Sequence, residues 1–221
     1  MKLLFDALVK FVLGFIFISL LLFLPANTFN YWYGWLFIIV LFVPVLIMGI
    51  VLYLKAPDLL AKRLKNKEKE KTQKGVIALS GLMFPIGFIT SSLDYRYNWS
   101  NVPLWLVIVS ACLFVVGYIL FGVVMKQNAY LSRVVEVSED QKVIDSGLYG
   151  IVRHPMYFAT LLMFLPIPLI LGSFYGLIAF SLYPVIIVIR IINEEKVLTK
   201  ELAGYSKYLE KVKYRLIPFI W

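Results

Sequence analysis

The stretch Ser146–Tyr157, SGLYGIVRHPMY, contains the single histidine of the chain, His154, between Arg153 and Pro155, with tyrosines at Tyr149 and Tyr157. An uninterrupted apolar run starts directly after it. Polar, donor-rich side chains at the start of a membrane segment are costly unless they bind something. Pro155 suits the first turn of a helix, where its missing N–H costs nothing, and that makes His154 the cap residue. The free N–H groups at such a helix start form a partial positive site for a carboxylate or phosphate. Tyr157, about one turn on, faces the same side as Arg153 or His154. The plain alternative is a helix cap whose arginine and tyrosines anchor at the membrane interface.

A second cluster reads Arg190-Ile-Ile-Asn-Glu194-Glu195 at the end of the same apolar stretch. Arg190 and Glu194 are four apart, so on a helix they share a face and can pair. A charge at that depth is expensive unless it is paired or faces a cavity. The arginine fork also suits a substrate carboxylate. The alternative here is a snorkelling arginine with a solvated glutamate. The two clusters flank one apolar stretch, and folding it as a hairpin brings them together. That convergence is the main argument for a site.

Other chemistries lack their residues. No Rossmann or P-loop fingerprint is present, and one cysteine with one histidine cannot build a zinc site. The reaction, if there is one, falls to Arg, Glu, Tyr, Asn and one His with a bound cosubstrate. Asn128 is a cap or a plain loop residue. The tail GYSKYLEKVKYRLIPFIW, with Tyr205, Tyr208 and Tyr214, is amphipathic and is expected to lie on the membrane surface.

The elements that must hold these clusters are apolar helices. Of the 221 residues 61% are hydrophobic and 16% charged, which marks a polytopic membrane protein of all-α class. Apolar spans are predicted at about 8–24, 33–54, 76–93 and 103–125, followed by the hairpin 156–192 with Gly172-Ser173 near its middle. Pro166 and Pro168 should bend the first arm, and the last helix should continue past Asn193. That makes about six apolar segments in one domain, 1–221. Residues 1–32 form an additional N-terminal span, and 126–221 the half that would bind a cofactor.

The net charge of +9 would suggest nucleic acid in a soluble protein, but the basic residues gather between the spans. Residues 55–74 hold eight Lys/Arg against three acids, and of 22 Lys/Arg only Arg96 falls on the opposite side. The positive-inside rule accounts for this bias without nucleic acid and puts both termini and the polar clusters at the cytoplasmic face.

The order SGLYxxVRHPMY, long apolar hairpin, RxxxEExxL, GYxxYxxxVxYRLIP resembles the isoprenylcysteine carboxyl methyltransferase family, which is related to the membrane phospholipid methyltransferases. The likeness covers about residues 128–218, and the set of motifs in this order is its specific part. It implies an S-adenosylmethionine pocket at the cytoplasmic face, no metal, and a lipidic substrate entering sideways from the bilayer. The implied cofactor contacts are Glu136, Gln141, Lys142, Val143, Ile144, Tyr149, His154, Pro155, Met156, Tyr157 and Glu194. Arg190 matches a substrate-contacting arginine, and Arg190 with Glu194 forms the implied catalytic pair. Leu148 departs from the pattern, since many relatives carry proline there. The implied activity is carboxyl O-methylation of an isoprenylcysteine or similar lipidic acid. Headgroup N-methylation of a phospholipid is the alternative, and a non-enzymatic lipid-binding or transport protein is a third reading.

Overall fold

The structure is a computed structural model that describes residues 2–64, 71–128, 130–131, 137 and 141–221. It is built from helices, in the order α1 Lys2–Ala26, α2 Trp32–Lys55, α3 Pro57–Leu64, α4 Lys71–Tyr97 and α5 Leu104–Gln127. The second half adds α6 Pro155–Phe164, α7 Ile167–Ile170, α8 Gly176–Phe180, α9 Leu182–Glu201 and α10 Tyr205–Lys211. Among the described residues, four stretches are long and apolar enough to cross a membrane: α1, α2, α5 and the α8–α9 arm, Gly176–Glu201. Helix α4, 27 residues long, packs against α1, α8 and α9.

The hairpin expected over 156–192 is present, and its first arm is broken. The break between α6 and α7 holds Pro166, and Pro168 sits in the first turn of α7. The arm Pro155–Ile170 is 16 residues long. At 1.5 Å per residue it spans at most ~24 Å, short of a ~30 Å hydrocarbon core. Its far end is tied down by polar contacts. Asp94, fully buried, accepts hydrogen bonds from the backbone N–H of Ser100 at 2.7 Å, the Ser173 hydroxyl at 2.5 Å and the Ser100 hydroxyl. The Tyr31 hydroxyl donates to the Leu171 carbonyl at 2.8 Å, and the Tyr95 hydroxyl to Asn30 at 3.2 Å. The turns around 27–31, 98–103 and 171–175 therefore meet at one end of the bundle. The starts of α4 and α6 and the ends of α2, α5 and α9 lie at the other.

The core runs through the middle of this bundle, with Phe37, Phe114, Phe180, Ile186 and Ile191 essentially inaccessible. The outward faces remain apolar: Phe5 is 66% exposed, Leu24 69% and Ile119 62%. Such surface is stable against lipid chains and not against water. Helices α5 and α6 approach most closely at Gly117, where an added Cβ would stand 2.9 Å from the Ala159 carbonyl oxygen. A small residue at this crossing lets α5 hold α6, and thus the RHP segment, in place.

Candidate active site

The RHP segment folds as its residue types require. Pro155 opens α6 and His154 occupies the cap position. The preceding 3₁₀ turn, Gly147–Gly150, starts at a glycine with φ +59°, a conformation that side-chain-bearing residues rarely adopt. The Gln127 side chain, at the end of α5, accepts from the Leu148 N–H at 3.0 Å and fixes this turn against the bundle.

The C-terminal tail then closes over the segment. The N–H of Arg153 donates to the Tyr214 carbonyl at 2.9 Å, and that of His154 to Arg215 at 2.8 Å. Arg153 also donates through Nη1 to the Val212 carbonyl at 3.0 Å. The tail thus does not simply lie on the membrane surface, as its amphipathic pattern predicts. Tyr205, Tyr208, Val212 and Leu216 are buried, and the tail forms a wall of the site. The apolar stripe turns toward protein, where it covers groups that would otherwise face water.

Glu195 lies beneath this wall. It is 7% exposed and accepts from Arg153 Nε at 2.7 Å and Arg215 Nε at 2.8 Å. His154 Nε2 stands 3.3 Å from the same carboxylate. A carboxylate only accepts, so this nitrogen carries a proton. Three elements (the RHP segment, α9 and the tail) are joined on one buried anion. This cluster was not read from the sequence, where Glu195 is merely the second of two adjacent glutamates.

Glu194 points the other way, into an open cleft. The Tyr157 hydroxyl donates to its Oε2 and accepts from Arg190 Nε at 2.8 Å. The Arg190 guanidinium also lies over the Tyr157 ring at 5.8 Å, and the His154 and Tyr157 rings stack at 5.7 Å. On the opposite wall Asn128 Nδ2 donates to the Tyr149 hydroxyl at 3.2 Å, and the Tyr208 hydroxyl donates to the Tyr149 carbonyl at 2.7 Å. Burial pushes the phenols of Tyr149, Tyr205 and Tyr208 above their ordinary range, so all three stay protonated at neutral pH.

The cleft encloses a volume of about 90 Å³ and is otherwise open to solvent. Of the expected cofactor residues, Gln141, Lys142, Val143, Ile144, Tyr149, His154, Met156, Tyr157 and Glu194 line it, and so does Arg190. Pro155 is buried as the first residue of α6 and is not part of the lining. Glu136 lies outside the described residues. Arg153, Leu198, Leu202, Tyr205 and Tyr208 line the cleft as well. The tail tyrosines carried a weak signal, since their spacing of three residues puts them on one helix face.

An apolar groove of about 490 Å³ opens beside the cleft, between α4, α6 and α9, with Phe84, Phe164, Tyr183 and Ile186 in its walls. Met156, Tyr157 and Arg190 line both cavities. A polar cleft and an apolar groove thus share a boundary made of a cation, a phenol and a thioether.

Residues 105–204 match the phospholipid methyltransferase family. The fold is similar to a solved structure of isoprenylcysteine carboxyl methyltransferase, the eukaryotic intramembrane Ras methyltransferase. That likeness has a TM-score of 0.51 at 17% identity, over 96% of this chain and 84% of that one. No curated protein sequence matches the chain. The family match covers α5 to the end of α9, and the fold likeness extends through the amino-terminal helices and the tail. The family match supports a coarse class, a membrane methyltransferase, and the structural likeness supports the fold alone.

Proposed function

Taking that class as its starting point, we propose that the chain uses S-adenosylmethionine to methylate the carboxylate of a lipidic acid of the isoprenylcysteine kind. One observation carries the reading: the polar cleft and the apolar groove meet at Met156, Tyr157 and Arg190. A reaction between a polar cosubstrate and a membrane-soluble acceptor needs such a boundary.

The residues suit the cosubstrate. Carboxylate Glu194 and the faces of Tyr149, Tyr157, Tyr205 and Tyr208 favour a cationic group. Val143, Ile144, Leu198 and Leu202 provide apolar contact for a flat ring. When bound, S-adenosylmethionine supplies an electrophilic methyl group and leaves as the neutral thioether. Methyl transfer from a sulfonium is an in-line displacement, so the protein's contribution is alignment and exclusion of water. A carboxylate acceptor is already anionic and needs no base. Arg190 receives it at the groove mouth, and the Tyr157 hydroxyl holds the guanidinium in place. Glu194 orients the cosubstrate from the same hydrogen-bonded chain. The charge bias of the loops supports a cytoplasmic site and cytoplasmic termini.

The family match favours a second reading, N-methylation of a phospholipid headgroup. There the amine must shed a proton before attack, and Glu194, on the cleft side of the boundary, is the carboxylate that would take it. Purified protein incubated with methyl-labelled S-adenosylmethionine and a panel of prenylcysteines and aminophospholipids separates the two. Label on the prenylcysteine alone supports the first reading and label on the phospholipid alone the second. Label on neither favours a lipid-binding protein.

A further inference from the structure

Beyond the wall it forms over the cleft, the tail folds into a turn of its own. The N–H groups of Leu216 and Ile217 donate to the Trp221 carbonyl at 2.8 and 3.1 Å, and those of Ile220 and Trp221 to the Ile217 carbonyl at 3.2 and 3.1 Å. Leu216, Ile217 and Trp221 pack against the same apolar core as Ile187 and Ile191 of α9, whereas Tyr205, Tyr208 and Val212 form a separate cluster. The turn therefore sits against the spans, at the level where α9 leaves its apolar run. The outward-facing Ile192 of α9 borders one surface recess with Arg215, so this flank continues the lipid-facing surface. At the tip of the turn Phe219 is 88% exposed and Ile220 76%. Phe219 also has φ +66°, a conformation that is costly for a bulky side chain and persists where a role repays it. Its ring meets that of Tyr214, 5.3 Å away, and is otherwise turned outward. Two adjacent large apolar side chains beside lipid-facing helices complement the boundary between lipid headgroups and acyl chains. A short chain of contacts joins this tip to the site. The Arg215 guanidinium lies over the Trp221 ring at 5.2 Å and donates to Glu195 at 2.8 Å. The carbonyls of Tyr214 and Arg215 hold the N–H groups of Arg153 and His154.

We propose that Phe219 and Ile220 form a membrane-surface anchor, which inserts into the bilayer interface and holds residues 212–215 across the RHP segment. The lipid surface then keeps the cosubstrate cleft assembled, and loss of the anchor loosens it. One face of the tail walls the cleft while its tip stands in lipid. The identity of the cosubstrate rests on the methyltransferase reading, but insertion and its hold on the RHP segment do not require turnover.

The test uses the full chain in nanodiscs of neutral phosphatidylcholine. With Cys112→Ala and Ile220→Cys, a fluorophore attached at position 220 should be quenched by spin-labelled acyl chains and shielded from aqueous iodide. Phe219→Asn with Ile220→Ser keeps a residue that tolerates positive φ and removes both apolar side chains. This double variant should melt in detergent at the same temperature as the unsubstituted protein. In nanodiscs it should exchange the Arg153 and His154 amides faster and bind S-adenosylmethionine ~5-fold or more weakly, the scale of coupling between two sites. Phe219→Trp with Ile220→Leu, which keeps the apolar tip, should behave as the unsubstituted protein does. Quenching by iodide and not by lipid overturns the anchor, as does a cross-link between two copies at position 220 without lipid quenching. Lipid quenching with unchanged exchange at Arg153 and His154 overturns the hold on the site. Faster exchange at these amides in a protein that binds no S-adenosylmethionine upholds the anchor and refutes the methyltransferase reading instead. Should the double variant fail to fold, Ile220→Ser alone decides between these outcomes.

Discussion

Glu194 and Glu195 are neighbours in the chain and face opposite environments. The first carboxylate lines the cleft and accepts from the Tyr157 hydroxyl. The second is buried among Arg153, His154 and Arg215. Successive residues on a helix point about 100° apart, so one turn of α9 serves both a binding surface and a structural joint.

Opposite consequences of substitution follow. Glu195→Gln leaves the buried Arg153 and the partly exposed Arg215 without their counter-charge, and breaking a buried pair costs about 3–5 kcal/mol. The expected result is a large fall in thermal stability in detergent. Glu194→Gln should leave the melting temperature near that of the unsubstituted protein and weaken S-adenosylmethionine binding ~10-fold, as measured by calorimetry.

Tyr157→Phe removes the hydroxyl that joins Arg190 to Glu194 and keeps the ring that stacks on His154. The core contacts survive, so the fold should persist. Turnover should fall by ~10-fold or more, and cosubstrate affinity should fall with it, because both partners lose their common anchor. Unchanged kcat and unchanged cosubstrate affinity would reduce RHPMY to a helix cap.

The tail makes a third test. Deleting residues 212–221 removes the carbonyls that accept from the N–H groups of Arg153 and His154, and takes Arg215 away from Glu195. Cosubstrate binding should be lost, while the long spans α1 and α5, which both pack on α2, keep with it their helical signal by circular dichroism. Retained binding would mean that the tail only covers the site.

Topology is checked with single cysteines in a background carrying Cys112→Ala. Positions Lys62 and Lys207 should react with a membrane-impermeant thiol reagent from one side, and Asn98 from the other. Labelling of Lys62 and Lys207 positions from opposite sides would remove the common-face arrangement.

Much of this arrangement was legible in the sequence because membrane helices obey a simple rule. Long apolar runs predict α2 and α5 within two residues at each end, and Pro155 predicts the start of α6, whereas α1 begins six residues before its predicted start and takes in Asp6 and Lys10. Convergence of RHPMY with Arg190 and Glu194 followed from hairpin geometry and i, i+4 spacing. The tail did not yield to the same reasoning. An apolar stripe carrying Tyr205, Tyr208 and Val212 is equally suited to a bilayer surface or a protein wall, and only tertiary contact decides. The partition between Glu194 and Glu195 depends on the rotation of α9, which two adjacent acids leave undetermined.

The most direct test of the acceptor is transfer of labelled methyl from S-adenosylmethionine to a prenylcysteine by the unsubstituted protein and by Arg190→Lys, followed by mild alkaline hydrolysis. A carboxyl methyl ester releases its label as methanol in base, whereas an N-methyl group does not. The lysine keeps the charge and loses the two-pronged geometry that suits a carboxylate. The expected result is base-labile label from the unsubstituted protein, with turnover reduced ~10-fold or more in Arg190→Lys while cosubstrate affinity stays within ~2-fold. Base-stable label, or full turnover by Arg190→Lys on the acid, would contradict carboxylate methylation at this site.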